Sequence, residues 1–164
     1  FRSLAPPTQA PPGSARRPAP ATRQKPLAGV RVIEVGPYPA GPLAGRFLAD
    51  MGADVIKVEP PGGEVSRPWP PLFGATGAYF GNYNVGKRSV VLDLGNATHR
   101  ERLWKLVDGA DVLLQNLKPG TLDRLGFTHE AMQARNPHLV YCSISGFGAR
   151  GVRAAALEIG RAHV

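Results

Sequence analysis

Apolar and polar positions fall in blocks along the chain, and the period changes from block to block. Val30-Arg31-Val32-Ile33-Glu34-Val35 is β-rich and partly alternating. Gly36-Pro37-Tyr38-Pro39-Ala40-Gly41 breaks that run. Pro42 suits a first helical turn, where its missing N–H costs nothing. Leu43, Ala44, Phe47, Leu48 and Met51 then recur at helical spacing and predict one apolar helix face. Gly52 is expected to end that helix. Asp54-Val55-Ile56-Lys57-Val58-Glu59 predicts the next strand. Strand, helix and strand together fill about 30 residues, the signature of a parallel pair with a crossover helix.

Pro60–Asn84 reads as a long loop, with Pro60-Pro61-Gly62-Gly63 and Pro68-Trp69-Pro70-Pro71 as breakers. Arg88–Leu94 predicts a strand. Thr98 and Glu101 stand at capping-box spacing before a stripe of Leu103, Leu106 and Val107. Asp111–Asn116 predicts a strand, Pro119–Leu125 a short helix or turn, Thr128–Arg135 a helix and His138–Ser145 a strand. Five strands alternating with helices define an α/β class with a mainly parallel, Rossmann-like sheet and flanking helices.

Composition refines this picture at the ends. Of 164 residues, 43% are hydrophobic and 20% charged, which fits a globular body. The formal net charge is +8. Residues 1–25 carry Arg2, Arg16, Arg17, Arg23 and Lys25, six prolines and no acid, and are expected to be a disordered leader. Arg150, Arg153 and Arg161 face one acid, Glu158, at the other end. The middle is nearly balanced. A nucleic-acid partner is therefore not expected, although the basic ends leave it as a weak third reading. One cysteine excludes an internal disulfide and the usual zinc spacings. No apolar run reaches membrane-spanning length and no secretory signal is evident, so no membrane partner and a cytoplasmic location are expected.

Local motifs are sparse. Gly36–Gly45 sits where a Rossmann sheet keeps its phosphate loop, yet matches neither the dinucleotide nor the P-loop fingerprint. It points to a ligand at the C-terminal edge of the sheet without naming NAD or ATP. Asn116 and Ser145 end strands, where ligand contacts and loop capping are about equally expected. Arg124 is a surface arginine or a phosphate ligand. His99, His129, His138 and His163 show no metal spacing and read as solvated, and Cys142 reads as core. No aspartate pair reads as an acid–base couple, and no metal ligands are expected.

Longer blocks carry a resemblance. They are Pro26–Val32, Ala40-Gly41-Pro42, Leu48–Glu59, Gly86-Lys87-Arg88-Ser89-Val90, Asp111–Asn116, Pro119–Gly126, Asn136–Tyr141 and Ser143–Gly148. In order and spacing residues 26–148 resemble the amino-terminal part of a family III CoA-transferase. This is the L-carnitine dehydratase/bile-acid-inducible type, which includes formyl-CoA transferases and α-methylacyl-CoA racemases. The resemblance implies a Rossmann-like large domain, a second smaller domain and a homodimer. It implies acyl-CoA and carboxylic acid substrates, with coenzyme A as substrate and no tightly bound cofactor. It implies an aspartate nucleophile that passes through a mixed anhydride and an enzyme thioester.

Carried over by motif, the CoA contacts fall on Ala40, Asn116, Arg124 and Ser145. Pro39, Pro60 and Val85 depart from residues common in the family, two of them arginines. The nucleophilic aspartate is expected beyond the chain end, so no catalytic residue is assigned within it. Residues 149–164 are expected to be a non-family tail, and Glu158–Val164 resembles a translated sequencing adapter, so a truncated fragment is expected. A 2-methylacyl-CoA racemase of the same family and a non-catalytic CoA- or nucleotide-binding module are the alternatives.

Overall fold

The computed structural model describes residues 24–148. The expected tail, and the expected leader apart from Gln24 and Lys25, lie outside the described residues.

Five strands form one parallel sheet in the order β5-β2-β1-β6-β7. They are β1 (Arg31–Val35), β2 (Asp54–Glu59), β5 (Arg88–Val91), β6 (Val112–Gln115) and β7 (Val140–Ser143). The central register sets Ile33 beside Ile56, Glu34 beside Lys57 and Val35 beside Val58. This is the expected α/β architecture with flanking helices: α1 (Ala40–Asp50), α3 (Ala97–Asp108), α4 (Thr121–Arg124) and α5 (His129–Arg135).

Strand alternation divides the core in two. On one face Ile33, Val35, Ile56, Val58 and Leu113 pack against Leu103 and Val107 of α3, Leu122 of α4 and Met132 of α5. On the other face Val32, Val55 and Leu114 pack against Ala49 of α1, with Ala44 and Leu48 alongside. β1 thus sends its helix to one face, and β6 sends its helices to the other.

Four local expectations need correction. The segment 60–84 is not one loop: it holds a small hairpin, β3 (Leu72–Phe73) with β4 (Thr76–Gly77), and a helix, α2 (Ala78–Tyr83). The cap of α3 is not Thr98. Asn96 accepts from the backbone N–H groups of Thr98 and His99, so one side chain serves two free donors. The buried face of α1 is Gly41, Pro42, Gly45 and Ala49, whereas Phe47 and Met51 are 54% and 41% exposed. The helix lies too close to the sheet for large side chains, as Gly45 shows below. Cys142 is exposed rather than core, because β7 is the edge strand of the described sheet.

Other expectations hold. Gly52 follows the α1 terminus with φ +104°, a conformation glycine adopts at little cost. The helix expected over Thr128–Arg135 is α5, His129–Arg135, and Thr128 caps it by accepting from the Ala131 N–H at 3.1 Å.

Candidate functional site

The sheet order reverses direction at β1, between β2 and β6. In open α/β sheets that switch point opens a crevice at the carboxyl ends of the strands, where ligands bind. Here the crevice is bounded by the β1–α1 loop, residues 36–39, and by Asn116 just after β6.

The loop is held from outside itself. Lys57 of β2 donates to the Gly36 carbonyl at 3.0 Å. The Asn116 side-chain amide donates to the Pro37 carbonyl at 2.8 Å. The Tyr38 N–H donates to Glu64 at 3.2 Å. Tyr38 has φ +66°, a left-handed conformation that disfavours a side chain, so the holding contacts offset some local strain. The Asn116 Oδ1 atom is buried against Gly36 and Gly41, where a Cβ at either position would collide with it. Pro39 then leads into α1 with no side-chain cap. The first turn of α1 therefore keeps free N–H donors toward an anion.

Beneath the loop lies a buried ionic network. Lys57 Nζ lies 2.9 Å from Glu34 and 2.7 Å from Glu64, and Lys87 Nζ lies 2.6 Å from the other Glu34 oxygen. Lys87 also donates to the Pro42 carbonyl of α1 at 2.8 Å. Two carboxylates thus meet two ammonium groups in a site nearly closed to solvent. Desolvation pushes the Lys87 ammonium below the usual lysine range, and the Glu34 charge opposes that shift. Ser66 donates to Glu64 from within the same pocket.

A second pair adjoins the first. Arg67 forks onto Glu59, and Ser89 and the Glu64 N–H donate to the same carboxylate. Burial alone raises the Glu59 pKa, but these donors outweigh it and hold the pKa at about 2.

A cleft of about 380 Å³ opens over the carboxyl ends of β1, β2 and β5. Its walls are mostly apolar and include Val35, Val58, Leu92, Leu117 and Leu125. Lys57, Glu59 and Glu64 reach it from the ionic network, and Thr121 from the start of α4. An apolar slot with few polar groups suits a flat organic group. Beside the loop, the rings of Tyr38, Trp69, Tyr79 and Tyr83 form a row with centroid spacings of 6.0, 5.2 and 4.7 Å.

None of the four sequence-derived contacts lines this cleft. Ala40 is the exposed first residue of α1. Asn116 faces the loop, its amide engaged by Pro37. Arg124 closes α4, is exposed and donates to the cleft-lining Thr121 at 3.3 Å. Ser145 is half-buried, two residues after β7. Asn116 holds the loop that leads into Ala40, whereas Arg124 ends α4 and Ser145 follows β7.

Sequence reasoning missed Glu34, Lys57, Glu59, Glu64 and Lys87. The signal was available in the strands. Glu34, Lys57 and Glu59 sit at inward positions of otherwise apolar strands, and a parallel pairing sets Glu34 opposite Lys57.

Fold and site define a doubly wound α/β protein with a ligand crevice at the switch point. The sequence profile of CoA-transferase family III matches residues 27–161, and the chain belongs to that family. A succinate–glutarate CoA-transferase from Agrobacterium fabrum is 46% identical over 137 residues, which is 79% of this chain and 34% of that protein. An acetyl-CoA:oxalate CoA-transferase from Acetobacter aceti is 42% identical over 133 residues, 80% of this chain and 34% of that protein. The crystal structure of a CAIB/BAIF family protein from Brucella suis superposes with a TM-score of 0.77 at 43% identity, covering 82% of this chain and 37% of that one. The chain spans about a third of the length of the relatives it matches. The resemblance read from the ordered blocks is therefore borne out.

Proposed function

We propose that this chain forms the CoA-binding part of an enzyme that moves CoA from an acyl-CoA thioester to a carboxylic acid. The observation that carries the reading is the family match across residues 27–161. The relatives named above as CoA-transferases for different small carboxylates support transfer chemistry over racemisation. They do not single out a donor or acceptor.

In this reading an aspartate carboxylate outside the 164 residues attacks the thioester carbonyl. The CoA thiolate leaves and a mixed anhydride forms. The thiolate then attacks the aspartyl carbonyl, which releases the donor acid and gives an enzyme thioester. The acceptor carboxylate attacks that thioester and frees the thiolate again. The thiolate then attacks the acceptor carbonyl of this second mixed anhydride, which forms the new acyl-CoA and releases the aspartate carboxylate. Each step is an acyl exchange, and the covalent route divides one difficult transfer.

The described residues bind rather than react. The uncapped start of α1 at Ala40 offers N–H donors to phosphate oxygens. Arg124 supplies a guanidinium fork at the margin of the cleft. The apolar cleft takes the flat base, and Ser145 adds a hydroxyl from the next strand end. Asn116 enters through the loop that it holds. Residues 26–148 form the first part of the large domain, and two copies of the whole protein form a dimer in the cytoplasm.

Isothermal titration of the chain with CoA tests the binding half. Saturable uptake is expected, weakened about tenfold in Arg124→Ala, the loss of one charge-assisted pair. CoA exchange between an acyl-CoA and a carboxylate is expected from the longer protein and not from this chain. Exchange by the chain alone would place the nucleophile within it, and no binding together with no exchange by the longer protein would sink the reading.

A further inference from the structure

Three consecutive residues of the β1–α1 loop are each held by a side chain from a different segment. Lys57 comes from β2, Glu64 from the stretch after β2, and Asn116 from the end of β6. They grip the Gly36 carbonyl, the Tyr38 N–H and the Pro37 carbonyl in turn. We propose that Lys57, Glu64 and Asn116 are positioning residues that fix this loop, and the α1 amino terminus it carries, in the shape that receives CoA. The proposal rests on the CoA reading above.

The loop has little of its own to define that shape. It holds two prolines that donate no hydrogen bond, a glycine with φ +138° and a tyrosine with φ +66°. Local propensity does not favour a left-handed tyrosine, so its conformation depends on the groups around it. Those groups are buried: Lys57 is 1% and Glu64 4% exposed. The Lys57 ammonium is shared among Glu34, Glu64 and the Gly36 carbonyl, so a shift of any one moves the others. Asn116 works independently of that network. Its amide wedges between Gly36 and Gly41 and joins the loop to the first turn of α1. A buried ion pair adds little net stability over an apolar substitute, whereas it fixes geometry. Binding of a long flexible anion gains when its donors are preorganised.

The test uses the whole chain and two readouts. Amide hydrogen exchange at Tyr38, followed by NMR against Ile33 in β1, reports the loop. Titration with CoA reports the site. Asn116→Ala removes one pin and leaves every ionic contact in place, so the fold survives. Tyr38 exchange is expected to rise about tenfold relative to Ile33 and the CoA Kd to rise about tenfold. Lys57→Met is expected to do the same and more, provided that near-UV circular dichroism stays native. Val107→Ala, in α3 and far from the loop, lowers stability generally and is expected to change neither readout.

Unchanged Tyr38 exchange in Asn116→Ala overturns the pinning. A loosened loop with unchanged CoA affinity overturns the positioning role. Equal weakening in Val107→Ala reduces the effect to general stability and overturns it as well. A wild-type chain with a protected Tyr38 that takes up no CoA instead fails the CoA reading, and the proposal loses its ligand with it.

Discussion

The two faces of the sheet solve the same burial problem with different chemistry. The face under α3, α4 and α5 is mostly apolar: Ile33, Ile56, Leu103, Val107, Leu113, Phe127 and Met132 are at most 8% exposed. The face under α1 starts the same way, with Val32, Val55 and Leu114. Toward the carboxyl ends of the strands it changes to Glu34, Lys57 and Glu59, which are no more than 1% exposed. Both faces exclude water. The first buries one amide, Gln115, bonded to Ser143 and the Leu117 N–H, whereas among the described residues only the second buries charges, which must be paired to be there at all. Apolar packing tolerates small shifts. An ion pair in a closed site defines distances and directions, and here it does so directly beneath the ligand crevice.

The sharpest way to break the second face is Glu34→Ala. Glu34 meets both Lys57 and Lys87, so its removal leaves two ammonium groups against one remaining carboxylate, Glu64. An uncompensated buried charge costs about 3–5 kcal/mol of stability. Chemical denaturation at neutral pH measures that loss. Adding Lys87→Met restores the charge balance and is expected to recover part of it, a coupling that a double-mutant cycle isolates.

The matched test of the apolar face is Leu103→Ala. Leu103 is fully buried between α3 and the sheet. Truncation is expected to cost about 3 kcal/mol from lost transfer energy and the cavity left behind. The contrast lies in what accompanies the loss. CoA affinity is expected to hold in Leu103→Ala and to fall in Glu34→Ala at the same temperature. Equal effects on affinity would erase the distinction between the faces.

Gly45→Ala probes how closely α1 approaches the ionic face. A Cβ there would run into the Glu34 carboxylate. A free carboxylate would swing aside, but this one is held by two lysines. Alanine gains helix propensity over glycine and loses more to the collision, for a net cost of about 1–2 kcal/mol. A stabilised variant in thermal unfolding would mean that Glu34 yields easily and the network is loose.

These same residues explain what could be read from sequence. The succession of strands and helices, the parallel class it implies and the strand–helix–strand opening follow from period and turn chemistry, because both act over a few residues. The buried face of α1 was not legible that way. Its apolar stripe of Phe47 and Met51 predicts an inward face, yet the close approach to Glu34 selects Gly41, Gly45 and Ala49. That approach is a tertiary fact with no local signature. The α3 cap fell to Asn96 over Thr98 for a simpler reason: both are good caps, and only geometry decides which starts the helix. Cys142 looks like core from its neighbours in sequence, but an edge position depends on which strands assemble beside it. Of the site, the β1–α1 loop and the strand end at Asn116 were readable from breakers and topology. The lysines and glutamates that hold them were visible as charges in apolar strands, and their meaning appeared only when the strands were placed in register.

The mildest test leaves the sequence intact and lowers the pH. Glu59 is held at about 2 by the Arg67 fork, Ser89 and the Glu64 N–H, against an unfolded value of 4.5. The folded state therefore binds this proton less readily than the unfolded state. Its stabilising contribution is complete above the unfolded value and is lost as pH falls from about 4.5 toward about 2. Asp54, whose pKa is lowered chiefly by hydrogen bonding to Arg88, adds a slope of the same sign near its own reference value of 3.8. Asp108 of α3 is lowered in the same direction by hydrogen bonding to Arg135, but it is exposed, so the buried acid-sensitive carboxylate is Glu59 on the ionic face. Urea midpoints taken from pH 6 to pH 2.5 should stay flat down to about 5 and then decline. In Glu59→Gln the protein starts less stable, by about 2–3 kcal/mol for breaking a partly exposed fork, and the decline should be shallower. The residual slope then belongs to Asp54 and the other surface carboxylates. A variant that keeps the full wild-type slope would assign the acid sensitivity elsewhere and detach it from the crevice.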